Sequence, residues 1–141
     1  MQENKTLITI EAEINVTPVE AWKCWTEPEH IVKWNNASAD WHTPWAKNDL
    51  RAGGTFVSRM EARDGSEGFD FSGTYDEVVN NSLIVYHIAD GRKVTVTFTH
   101  ENGKTKVTET FEAETVHSPD LQQQGWQSIL NNFKKYCEQL T

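Results

Sequence analysis

His87 and Glu109 are the residues of this chain best placed to do chemistry. An imidazole and a carboxyl on one face of a sheet can pass a proton, or grip the polar end of a molecule whose body meets apolar neighbours. Hairpin geometry puts both on one face, two strands apart and offset along the sheet. At about 4.8 Å per strand and 3.4 Å per residue, their Cα atoms should lie roughly 12 Å apart. That is too far for a direct hydrogen bond, so the pair reads as two ligand contacts and not as a catalytic dyad. Tyr75 can add a phenol to the same space. His30, His42, His100 and His117 fall at helix, loop or strand ends and read as surface residues. No three histidines and acids have metal-ligand spacing, and neither a Gly-x-Ser-x-Gly motif nor a glycine-rich phosphate loop occurs. The expectation is no metal, no cofactor and no catalytic residue, which leans away from an enzyme.

The faces come from the turns. Asp90-Gly91 and Asn102-Gly103 are dipeptides of two-residue type I′ hairpins, where both positions need positive φ. Such a turn at Asp90-Gly91 pairs His87 with Val94, Val85 with Val96 and Leu83 with Phe98. At Asn102-Gly103 it pairs Phe98 with Val107, Val96 with Glu109 and Val94 with Phe111. The expected inner face thus carries Leu83, Val85, His87, Val94, Val96, Phe98, Val107, Glu109 and Phe111, while Thr95, Thr97, Thr108 and Thr110 face water. Strand character covers Thr55–Ala62, Phe69–Val79, Leu83–Ala89, Lys93–His100 and Thr105–Glu114, an antiparallel meander. The alternation over Thr6–Ile14 adds a first strand at one edge. A strict two-residue turn at Asn80-Asn81 would turn Phe69, Phe71 and Tyr75 to solvent. A longer loop or a bulge is expected there to return them to the core.

Helices must cover the apolar face. Thr17 and Glu20 have capping-box spacing, Pro18 sits at the first helical position, and Val16 can staple against Ala21. Glu27-Pro28 breaks this helix, since a residue before proline avoids the α region, and Pro28 opens a second that carries Ile31, Val32 and Trp34. A short strand is expected around Trp41–Trp45. The last helix runs from Ser118-Pro119-Asp120 to Leu140. Trp126, Ile129, Leu130, Phe133, Cys137 and Leu140 form its apolar stripe, which should lie on the face bearing Val85, Val96 and Phe111.

Its 141 residues suit one domain, and 13 basic against 21 acidic residues give a net charge of −8. That sign repels phosphate backbones and anionic lipid, which excludes nucleic acid as the expected partner. No basic-then-apolar leader and no membrane-length apolar run occur, so a cytoplasmic protein, a monomer or weak dimer, is expected. Cys24 and Cys137 lack metal-type spacing and read as reduced thiols. Six tryptophans, among them Trp34, Trp41, Trp45 and Trp126, can fill a core or wall a cavity.

Strand, two short helices, antiparallel meander and long final helix resemble the helix-grip α+β fold of the START-like (SRPBCC) superfamily. Particular stretches resemble its activator of heat-shock protein 90 ATPase homologue family. They are Pro18-Val19-Glu20-Ala21-Trp22, Trp25-Thr26-Glu27-Pro28, Asp49-Leu50-Arg51-Ala52-Gly53-Gly54-Thr55-Phe56, Phe71-Ser72-Gly73-Thr74-Tyr75-Asp76-Glu77-Val78 and Gly125-Trp126. The eukaryotic co-chaperone's additional amino-terminal domain and its Asn/Trp/His motif are not reproduced by Asn35-Asn36 and Trp41-His42. The resemblance implies a single-domain member with a cavity between sheet and last helix. A small apolar molecule is the expected partner, and Trp34, Phe71, Tyr75, His87, Phe98, Glu109, Phe111, Trp126 and Leu130 the expected ligand contacts. The alternatives are a chaperone-interacting module and, third, a cyclase-type enzyme of the superfamily.

Overall fold

Glu27, held extended at φ −83° and ψ 125°, ends one helix, α1 (Pro18–Thr26), and starts the next, α2 (Pro28–Trp34). The following proline forces this break. The computed structural model describes residues 6–36 and 38–140; the first residues, on which the reading of a missing leader partly rests, lie outside them. β1 (Leu7–Ile14) precedes the two helices, and two short strands, β2 (Trp41–His42) and β3 (Ala46–Asn48), follow them. The strand expected near Trp41–Trp45 is therefore two pieces, and both pair with β4 (Thr55–Ala62). The meander continues through β5 (Gly68–Val79), β6 (Leu83–Ile88), β7 (Lys93–Glu101) and β8 (Lys104–Glu112) to α3 (Pro119–Gln139). The sheet order is β1-β8-β7-β6-β5-β4-β2, all antiparallel, with β1 at one edge as expected.

Local chemistry sets the helix ends. Thr17 Oγ1 accepts the Glu20 N–H at 3.3 Å, and Ser118 Oγ accepts that of Leu121 at 3.2 Å. Each cap satisfies a donor that the first turn leaves over. The polar flank of α3 is tied to the free edge of β1: Lys134 Nζ donates to the Glu13 carbonyl at 2.7 Å and Gln127 Nε2 to that of Glu11 at 3.3 Å. The helix thus consumes acceptors that an open sheet edge would offer to another chain.

The Asn102-Gly103 hairpin has the expected register, with Phe98 opposite Val107, Val96 opposite Glu109 and Val94 opposite Phe111. Both turn residues have positive φ, 49° and 80°. The Asp90-Gly91 hairpin does not. Ile88 N–H donates to the Arg92 carbonyl at 2.9 Å, which leaves Ala89, Asp90 and Gly91 as a three-residue connection. Only Gly91 in it is left-handed, at φ 94°, while the Asp90 carboxylate accepts the Arg92 N–H at 3.0 Å. One residue longer than a type I′ turn, this loop shifts the pairing by one, and Tyr86 faces Val94 and Ile84 faces Val96. A one-residue slip exchanges the faces. Leu83, Val85 and His87 accordingly point away from α3, and Ile84, Tyr86 and Ile88 point towards it.

At Asn80-Asn81 the expected irregularity is present twice. Val79 pairs with Leu83 across a three-residue loop, and a bulge between Tyr75 and Glu77 inserts Asp76. Phe71 and Tyr75 return to the inner face. Phe69, near the start of β5, shares that face but is 51% exposed at its rim, where it leans on Trp41.

The core lies at the β1, β8 and β7 side of the sheet. Ile14, Val94, Val96, Val107, Phe111, Leu130 and Phe133 are all buried there. Phe133 of α3 meets the edges of Trp25 and Trp34, with centroids 4.9 and 5.0 Å away. Trp22 and Trp25 close on Phe98. The β4–β6 side is packed differently.

Candidate functional site: an aromatic hollow with a buried carboxyl

Over β4, β5 and β6 the helices stand away from the sheet and leave a hollow of about 280 Å³. Its floor is built by alternation: Phe56, Ser58 and Met60 from β4, Phe71 and Tyr75 from β5, Ile84 and Tyr86 from β6. Glu109 of β8 closes the side towards the packed core. Trp25 and Trp34 from the short helices, with Trp126 and Ile129 from α3, form the roof, and Lys47, Asn48 and Arg92 stand among its lining polar residues.

Specific contacts hold the walls. A Cβ on Gly73 would come within 2.7 Å of the Phe56 ring and 2.3 Å of the His87 carbonyl. Glycine there lets Phe56 lie flat over β5, where its ring approaches those of Tyr75 and Tyr86 at 5.3 and 5.0 Å. The Tyr75 hydroxyl donates to Asn48 Oδ1 at 2.5 Å, and Asn48 Nδ2 donates to the Thr26 carbonyl at 2.6 Å. This chain links β5, β3 and the end of α1. The Trp34 indole N–H donates to the Cys24 carbonyl at 2.9 Å, which fixes that ring.

Glu109 is 5% exposed and has no hydrogen-bond or ion-pair partner among the described residues. Burial alone pushes its carboxyl up to about 8, because water no longer stabilises the anion. Burial also raises the Tyr75 phenol, partly offset by the bond to Asn48. Tyr86 is raised well above the usual phenol range by burial first and by Glu109 second. Away from Lys47 and Arg92 the hollow is therefore weakly polar at neutral pH, with one protonated carboxyl and two phenols able to make hydrogen bonds.

Of the nine residues expected from sequence to touch a ligand, Trp34, Phe71, Tyr75, Glu109 and Trp126 border this hollow. Phe98, Phe111 and Leu130 share the inner face but lie in the packed half, where Phe111 supports Trp126 from beneath. His87 is a correction. The register shift turns it to the outer face, its side chain 45% exposed and its Nδ1 against the Asp76 carboxylate. Tyr86, its neighbour, takes the inward place. The signal for that was present: Ile84, Tyr86 and Ile88 form a more apolar set than Leu83, Val85 and His87. Asn48, Ser58 and Arg92 carry no comparable local signal, since only tertiary packing brings β3 and the β6–β7 turn to the hollow.

Other reactive groups lie elsewhere. Cys24 and Cys137 are free, buried thiols hydrogen-bonded to each other, a contact that lowers Cys24 and raises Cys137. His30 Nδ1 lies 2.7 Å from the Tyr136 hydroxyl, half-buried where a surface position was expected. Among the described residues no group of three His, Cys, Asp or Glu gathers as metal ligands, and no helix is long and apolar enough to cross a membrane.

A curled antiparallel sheet gripping a long carboxy-terminal helix, with two short helices after its first strand, defines a helix-grip α+β protein. Within that class the chain belongs to the family of activator of Hsp90 ATPase homolog 1-like proteins, whose model matches residues 15–138. The chain is similar to an AHSA1-like protein from Aeromonas hydrophila known from a solution NMR structure. Identity is 47%, TM-score 0.91, with 96% of this chain and 94% of that one covered. A protein from Cytophaga hutchinsonii is 51% identical with TM-score 0.82, covering 94% and 92%. One from Nitrosomonas europaea shares the fold at 20% identity and TM-score 0.81, covering 95% of each chain. No curated protein matches the chain.

Proposed function

We propose that this protein binds a small, largely apolar molecule in the hollow, as a carrier or sensor. The observation that carries this reading is the contrast between the two halves of one inner face. The β7–β8 half is filled to zero exposure at Val94, Val96, Val107 and Phe111. The β4–β6 half is walled by aromatic rings around about 280 Å³ of space. Such a space, mostly apolar with a few convergent polar groups, is the usual form of a ligand site. Its size is at the lower edge of the roughly 300–1,000 Å³ typical of ligand pockets, which favours a compact ring system over a long acyl chain.

The family's name supplies a second reading, a chaperone-interacting module, which would work through the outer surface and leave the hollow unused. Titration followed by amide and indole NMR signals separates the two. A panel of compact aromatic molecules should shift Tyr86, Glu109 and Trp126. Shifts confined to outer-face residues on adding a purified heat-shock protein 90, with the hollow silent to the whole panel, would replace the first reading by the second.

A further inference from the structure

Glu109 is the anomaly of the hollow. Buried carboxyls almost always have a donor beside them, because desolvating one alone is costly. Glu109 has none among the described residues. Since no buried side-chain polar atom among the described residues is sealed off without a partner, its oxygens open onto the hollow that it lines. They face a space bordered by aromatic side chains from six elements, including Trp25, Trp34, Phe56, Phe71, Tyr86 and Trp126. The negative faces of such rings attract cations, most strongly where water is excluded.

The charged and titratable groups around Glu109 narrow the chemistry. Tyr86 of β6 and Tyr75 of β5 are phenols. Arg92, in the β6–β7 connection, already spends its Nε on Asp90 at 2.8 Å and points Nη1 at the Glu112 carbonyl, 3.4 Å away. Lys47 of β3 is exposed, its Nζ 5.7 Å from the Trp45 ring. Helices α2 and α3 contribute no titratable group to the lining. An anionic ligand would thus meet a carboxyl and rings, with both cations at the lining engaged or exposed. A cationic ligand would meet one unpaired acid and the attractive faces of the rings, in a protein of net charge −8.

We propose that the molecule held in the hollow is an organic cation, an amine on a compact aromatic or cyclic body, whose ammonium group pairs with Glu109. This rests on the ligand-binding reading above and names its ligand class. In the empty hollow Glu109 keeps its proton at neutral pH. Pairing with an ammonium group needs the ionised form, so each molecule bound releases one proton to solvent. Affinity for an amine then rises with pH until Glu109 is ionised in the free protein, whereas affinity for an uncharged isostere stays flat.

Three probes of one shape test this: naphthylmethylamine, naphthylmethanol and naphthoate, titrated by calorimetry and NMR between about pH 6, where Glu109 is almost fully protonated, and about pH 8, where it is half ionised. At the upper end the amine should bind on the order of tenfold more tightly than the alcohol, the size of one charge-assisted contact. Its affinity should fall towards pH 6, and Glu109→Gln should abolish its advantage while the alcohol still binds. Equal affinities for amine and alcohol, tightest binding by naphthoate, or an advantage that survives Glu109→Gln would each overturn the amine and leave a cavity for some other ligand. Silence of the hollow to all three probes would overturn both readings. Should the variant fail to fold, the pH slope of the native protein decides alone: a flat slope for the amine refutes the pairing.

Discussion

The indole of Trp126 lies flat on the phenyl ring of Phe111, with centroids 3.9 Å apart and planes 10° from parallel. This stack joins the two halves of the inner face. Phe111 is fully buried in the filled half, and Trp126 projects from α3 to roof the hollow. Its position is therefore fixed from the core side and not by a ligand.

Removing the ring should show both roles. Trp126→Ala should lower stability by about 2–4 kcal/mol, less than a fully buried aromatic because one side already faces space. Trp126→Phe should keep most of the stability and still weaken probe binding. Denaturant unfolding and probe titration on the same samples measure the two effects separately.

Phe133 is the control in the filled half. It has no exposure and no place in the lining. Phe133→Ala should cost about 3–5 kcal/mol, as large core truncations do. A loss below about 1 kcal/mol would contradict the packing of α3 against Trp25 and Trp34.

Gly103 stands at φ 80° with nothing near its missing side chain, so the cost of a substitution there is conformational and not steric. Gly103→Val should destabilise by about 1–3 kcal/mol, since a β-branched residue is strained at positive φ. In the parent protein, hydrogen exchange should show protected amides along the β7–β8 pairing of Val96 with Glu109.

The pH dependence of stability should carry the mark of Glu109. Its carboxyl is raised from 4.5 to about 8 in the folded state, so above pH 4.5 the folded protein holds a proton that the unfolded chain has lost. Stability is therefore greatest below the unfolded value and declines as pH rises through the folded one. At about 1.4 kcal/mol per unit the full loss has a ceiling of roughly 5 kcal/mol. Unfolding at pH 5 and pH 8 should show this decline in the native protein and a much smaller one in Glu109→Gln. An equal decline in both would place the titration elsewhere.

Local rules decided most of the architecture. The Thr17 and Ser118 caps, the Glu27-Pro28 break and the strict Asn102-Gly103 turn each act within a few residues. Sequence therefore determines their outcome, and with it the placement of Glu109 on the inner face. The Asp90-Gly91 connection was not decidable in this way. A two-residue and a three-residue loop fit the same dipeptide, and the choice depends on whether Ile84, Tyr86 and Ile88 or their neighbours find the better-packed partners across the sheet. That choice moved His87 outside and Tyr86 inside. The hollow itself lies further still from sequence. Alternation says which residues face the helices, but it does not say that α3 presses on β1 and β8 while standing off β4 and β5. Trp126, braced on Phe111, and the Asn48 bridge between Tyr75 and α1 set that separation, and only the assembled tertiary structure brings them together.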